Sequence, residues 1–224
     1  MDVLITRKEQ KRISMRVKDE KTLVIFAPIG YPTEKIEDFI QTNTQWINKK
    51  VSEITRRKTD FSSIYSFDQT LLNGKIIDIL PSNENKTSIS AEGLYISPRC
   101  YGNFEKRRKE TIKFVKEYAD ENLRELISKI GTELGVCPSE ITVRFIRGAR
   151  IWGKCDANKR IVIDSRVAML TPQLQRYVIL HEFAHLSVFN HSETFWNLVE
   201  KYVPNYKNCR NQLKSFSFIR ELYN

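Results

Sequence analysis

"HEFAHLSVFNH", residues 181–191, contains all three histidines of this 224-residue chain: His181, His185 and His191. On a helix, positions i and i+4 share a face. His181 and His185 therefore point the same way, and two imidazoles at that spacing can bind one metal ion. Glu182 is turned away from them by roughly 100° around the axis, so it flanks the metal position instead of ligating it. This is the H-E-x-x-H spacing, in which paired histidines bind zinc and the glutamate serves as general base.

The surroundings favour that reading. Thr171-Pro172 is a helix start, with Thr as N-cap and Pro at the first helical position. Leu174 and Val178 precede His181 on the same face, so the histidines are expected to face the interior. After Phe189, Asn190 is expected to end the helix in a left-handed conformation. Asn190 or Ser192 would then cap a new helix, SETFWNLVEKY. His191 falls in that corner, where a turned chain can return a third ligand to the metal. Three protein ligands and one open position is the catalytic zinc arrangement, whereas structural sites are closed by four. Glu193 and Glu200 are nearby carboxylates that could take the place of His191. Their placement on a helix suits solvated surface better.

Upstream, RISMRV and TLVIFAP read as a hairpin turning at KDEK. A helix is expected from Thr33 through EKIEDFIQTNTQWINKKVSEITRRK. TLLNGKIIDIL carries Asn73-Gly74 as a hairpin turn, and GLYISP is β-like. The region from Phe104 to Leu134 is helical, with Ile112, Val115, Tyr118, Ala119, Leu126, Ile127 and Ile130 on one side, and is stopped by Gly135 and Pro138. The strands ITVRFI, RIWGKC and RIVIDS follow, with DANK as a turn. The expectation is an α+β fold: a β-rich N-terminal part with one helix over 1–102, and a catalytic part over 103–224. The boundary falls near Pro98–Asn103, and one shared core is also compatible with the pattern.

Composition narrows the class. Hydrophobic residues make up 41% and charged residues 29%, which is globular. The basic N-terminus lacks a following apolar segment, so no signal peptide is expected. Apolar runs such as LVIFAPIG are too short to span a bilayer. The four cysteines form no C-x-x-C pair, which argues against a zinc ribbon. Their spacing suits reduced thiols in a cytoplasmic protein. Lys plus Arg is 37 against 27 acids, a formal net charge of +10. That balance favours acidic partners, nucleic acid among them, although dispersed runs such as EKRRKE suit a solvated surface equally.

The H-E-x-x-H-x5-H spacing matches the metzincins, but Val188 stands where they need glycine, and no methionine lies downstream. The segments Trp152-Gly153-Lys154-Cys155, His181–His185, Asn190-His191-Ser192 with Phe195-Trp196, and Tyr202–Tyr206 together resemble the YgjP-like metallopeptidases, relatives of the WLM and SprT groups. The N-terminal RISMRV…FAP…IEDFIQTNTQWINKK is similar to that family's opening, so the likeness covers most of the chain. It implies a zincin-like α+β core, zinc held by His181, His185 and His191, Glu182 as catalytic base, and a protein or peptide substrate. Lys154 and Asp156 depart from the small serines common in the family. If their strand lines the cleft, they alter which substrate fits. Trp152, on that strand, is a candidate cleft residue. Arg147 and Tyr206 are candidates for stabilising an oxyanion, by proximity of motif. Two other readings remain open. One is a metal-dependent nucleotide (UTP-type) pyrophosphatase, against which no phosphate-binding G-x-x-x-x-G-K-[ST] loop is found. The other is a non-catalytic zinc-containing DNA-binding protein, which would have no need of Glu182.

Overall fold

The computed structural model describes residues 1–147 and 151–223. The fold is mixed α+β, as the patterning predicts, and its contacts fall into two units, Met1–Tyr65 and Ser66–Asn224. This break lies upstream of the Pro98–Asn103 region that the sequence suggests.

The first unit opens with β1 (Asp2–Lys8), β2 (Ser14–Val17) and β3 (Thr22–Pro28) in the order β1-β3-β2. β2 and β3 form the expected hairpin, with Met15 opposite Ile25 and Val17 opposite Leu23. β1 adds in parallel on the other side of β3. Alternate residues of β3, Leu23, Ile25 and Ala27, are buried against Ile36 and Ile47, as period-two patterning requires. The long helix expected after Thr33 is broken into α1 (Thr33–Thr42) and α2 (Thr44–Asp60), followed by α3 (Ser62–Tyr65). At the break, the Asn43 side-chain amide donates to the Phe39 carbonyl, and its backbone N–H reaches Ile40. Asn competes for backbone partners in this way, which makes it a poor interior helix residue.

The second unit holds β4 (Gln69–Leu72), β5 (Lys75–Pro81), β6 (Ser88–Ile89), β7 (Leu94–Ile96), α4 (Pro98–Tyr101) and α5 (Phe104–Leu134). These are followed by β8 (Glu140–Arg144), β9 (Gly153–Cys155), β10 (Arg160–Asp164), a 3₁₀ turn (Ser165–Met169), α6 (Pro172–Ala184), α7 (Glu193–Tyr202), α8 (Tyr206–Ser215) and α9 (Ser217–Leu222). One sheet has the order β4-β5-β7-β6 and the other β8-β10-β9. β9 is thus an edge strand, antiparallel to β10. α5 begins at an Asn103 cap and ends at Gly135 with φ 65°, a conformation glycine adopts without a Cβ penalty. Its buried stripe runs through Thr111, Val115, Ala119, Leu123, Ile127 and Ile130. Ile112, Tyr118 and Leu126 are only half-buried, so the stripe is rotated slightly from the expected one.

Three features seat α6, the central helix. Thr171 accepts a hydrogen bond from the Leu174 N–H, with Pro172 at the first position. The Asn73–Gly74 turn donates backbone N–H bonds to Ala168 and Met169, and Gln175 donates to the Asn73 side chain. Gly74 has φ 75°, and a Cβ there would stand 2.5 Å from Thr171 Cγ2. The expected Asn-Gly turn therefore also serves as the docking point for the helix start. Beneath lies a buried pair: Arg166, 1% exposed, makes two bonds to the Asp164 carboxylate at 2.7 and 2.6 Å and donates to the carbonyls of Ile146 and Arg220. Among the described residues, no helix is long and apolar enough to cross a membrane. All four cysteines are free.

Candidate active site

α6 ends at Ala184, and His185 already caps it. The helix is shorter than expected, and Asn190 is not among the described residues with positive φ. The chain leaves the helix through the turn at 185–187 and re-enters one at Glu193, with Ser192 as N-cap. Early termination keeps the reversal compact. Phe195 of α7 then packs against all three histidine rings, at centroid distances of 4.5–4.9 Å.

His181, His185 and His191 meet here. Each offers a ring nitrogen within 4.8 Å of the others, and Nε2 of His181 lies 3.1 Å from Nε2 of His191. Two nitrogens bound tetrahedrally to one zinc would stand about 3.3 Å apart, given bonds of roughly 2.0–2.1 Å. His185 Nδ1–H donates to the Val188 carbonyl at 3.1 Å, which fixes the tautomer and leaves Nε2 as a lone pair. Burial pulls the His181 pKa down to about 3, with His185, His191 and Arg210 adding to it. Burial also lowers that of His185. Both rings are therefore neutral donors at ordinary pH. The donor set fits a divalent metal that favours imidazole. Glu193 and Glu200 lie outside this cluster and are exposed.

Glu182 points the other way from the same turn of helix. It is 7% exposed, and burial pushes its carboxyl up to about 8. It faces β9 at Gly153, where an added Cβ would approach Glu182 Cγ to 2.6 Å. A cleft of about 380 Å³ joins the groups. Ile151–Cys155 form one wall, and Tyr177, Val178, His181, Glu182, His185, His191 and Leu213 the rest. Trp152 lines it, with the Arg220 guanidinium 4.8 Å from its ring.

A family model described as YgjP-like, metallopeptidase domain, matches residues 11–216. This chain belongs to the YgjP-like metallopeptidase family. It is accordingly a metal-dependent hydrolase of the peptidase class. Among curated proteins, none matches it. Among solved structures, the metallopeptidase zymogen of Pyrococcus abyssi, abylysin, is 25% identical, covering 41% of this chain and 90% of that one, with a TM-score of 0.37.

Within this YgjP-like chain, two residues named from motif proximity sit apart from the cleft. Tyr206 is buried in a stack on Trp196, with ring centroids 5.1 Å apart, and is not a lining residue. It supports the ring that stacks on His191. Arg147 is exposed and does not line the cleft either. Sequence reasoning missed Tyr177, one turn before His181 on the same face, whose hydroxyl burial raises to about 12. The i−4 spacing was the available signal. It also missed Arg210 of α8, whose guanidinium lies 5.2 Å from the Trp196 ring centroid. No local pattern links position 210 to position 181.

Proposed function

We propose that this chain is a zinc-dependent peptidase with a zincin-like core, in which His181, His185 and His191 hold the metal and Glu182 is the general base. The observation that carries the reading is the convergence of three ring nitrogens beside a buried carboxylate in one open cleft. Zinc, when bound, supplies Lewis acidity and lowers the pKa of water toward roughly 7. Glu182 takes the proton of the attacking water and passes it to the leaving amine, a transfer suited by a carboxyl whose pKa lies near the working pH. Gly153 leaves the space in which that carboxylate sits. Val188 holds His185 in the tautomer that presents Nε2. Tyr177, whose hydroxyl stays protonated at neutral pH, donates to the oxyanion in place of Tyr206. The free thiols suit a reducing compartment such as the cytoplasm.

The test is Glu182→Gln in zinc-loaded protein. Metal content and fold should persist, while peptide turnover falls about 10² or more, the ordinary contribution of a general base. Unchanged turnover would exclude Glu182 as the base. Nucleoside triphosphate turnover that collapses in the same variant, with peptides left intact, would replace this reading with the pyrophosphatase one.

A further inference from the structure

Two cations, one in the cleft lining and one beside it, have no acid partner among the described residues. Lys154 lines it from β9 and is exposed. Strand alternation turns Gly153 and Cys155 toward α6 and leaves Lys154 on the outer face of the edge strand, where a chain lying along that edge would pass. Arg210 is on α8, with its guanidinium 5.2 Å from the Trp196 ring centroid, and Trp196 in turn stacks on His191. This guanidinium is held at the metal-site end of the cleft by an aromatic face.

Five arginines of this unit are paired: Arg107 with Asp68, Arg124 with Asp120, Arg160 with Asp156, Arg166 with Asp164 and Arg176 with Glu133. Among the described residues, neither Lys154 nor Arg210 has such a carboxylate. Among the described residues Glu182 is the one carboxylate in the cleft lining, and it is buried against Gly153. Asp156, next to the cleft, is already held by Arg160 through its side chain and backbone. The cleft thus has unanswered positive charge in its lining at Lys154 and, beside it, at Arg210 on the Trp196 ring, whose planar fork matches a carboxylate.

We propose that Lys154 and Arg210 are specificity-determining residues that select acidic peptides, by taking Asp or Glu side chains flanking the bond to be cut. The inference rests on the peptidase reading above and narrows its substrate class. A lysine-rich segment would meet like charge at Lys154 and at the neighbouring Arg210, so basic proteins are poor substrates despite the acidic partners a +10 chain can attract elsewhere.

The experiment uses quenched fluorescent peptides of one scaffold, C-terminally amidated, with Glu, Gln or Lys flanking the scissile bond. With zinc-loaded enzyme, kcat/KM should favour Glu over Gln by about tenfold and Lys should be worst, the gap narrowing toward high salt as charges are screened. Arg210→Gln and Lys154→Ser should each shrink the gap, and Arg210→Glu should shift preference toward Lys. Anisotropy with the same peptides on zinc-loaded Glu182→Gln should give the same binding order without turnover. Equal turnover of all three peptides, or a preference unchanged in both variants, overturns this inference and leaves the peptidase reading standing. No turnover of any peptide with the binding order intact overturns the peptidase reading instead. A second set of the same peptides with free C-terminal carboxylates is the control: a preference that appears only in that set overturns the side-chain assignment in favour of the chain terminus.

Discussion

Glu182 and Gly153 touch: a Cβ built on Gly153 would stand 2.6 Å from Glu182 Cγ and 3.0 Å from Oε1. The glycine of the Trp-Gly-x-Cys segment is there to make room for the carboxylate. Gly153→Ala must therefore move Glu182. Zinc content should be unchanged, while kcat falls by about 10², the scale on which a misplacement near 1 Å acts. Equilibrium metal analysis beside turnover checks it. Loss of metal together with activity would mean that the strand supports the histidines instead.

Metal binding should be about one ion per chain, and His191→Ala should weaken it clearly. His191 is the exposed member, yet its Nε2 lies 3.1 Å from that of His181. Competition against a chromogenic chelator measures the affinity. If His191→Ala binds as wild type while Glu193→Ala or Glu200→Ala does not, the third ligand is a carboxylate of α7.

Without metal, two groups set opposite pH limits on stability. The folded-state pKa of Glu182 is raised from 4.5 to about 8. Its contribution is complete below pH 4.5 and is lost as pH rises through about 8. That of His181 is depressed from 6.5 to about 3. Its contribution is complete above pH 6.5 and is lost as pH falls toward about 3. Chelated protein should be most stable between those two unfolded values, and Glu182→Gln should abolish the decline on the alkaline side. Thermal midpoints across pH, in chelator, decide it. An alkaline decline that persists in the Gln variant has another source.

Arg166→Ala should destabilise the protein by about 3–5 kcal/mol, because it strands the buried Asp164 carboxylate. Urea unfolding gives the figure. A loss below about 1 kcal/mol would show that water enters and satisfies Asp164.

Nucleic acid binding through the exposed lysines and arginines should be non-specific and should fall steeply with salt, since it rests on counterion release. Titration of labelled duplex at two salt concentrations measures the slope. No binding even at low salt leaves the +10 charge as ordinary surface.

The α6 helix, its Thr171 cap, the Asn73–Gly74 turn and the histidine face were legible because each is a local matter of spacing or turn chemistry. The pairing of β1 with β3 was not: β1 is exposed along its length and carries no burial pattern to read. The break at Asn43 was hidden because apolar spacing continues across it. In the site, the three histidines and Glu182 were readable from one window of eleven residues. Tyr206 was misjudged as a cleft donor since sequence proximity to a motif does not say which side of a ring stack a hydroxyl occupies. Arg210 comes near His181 only through tertiary packing, of α8 on α6 and on Trp196.

The hydroxyl of Tyr223 meets that of Thr70 in a fully buried contact 2.8 Å long, across 153 positions of chain. Arg166 likewise waits for the Arg220 carbonyl. A ribosome delivers residues in order, and contacts so distant in sequence form late. The wall that carries Trp152 is therefore finished by α9, which emerges after the histidine window. During synthesis, a growing chain already displays the histidine window while the ties behind its cleft are still missing. The cleft is then complete only once α9 has followed the histidine window, which spares the nascent polypeptide and its neighbours from a half-built hydrolase.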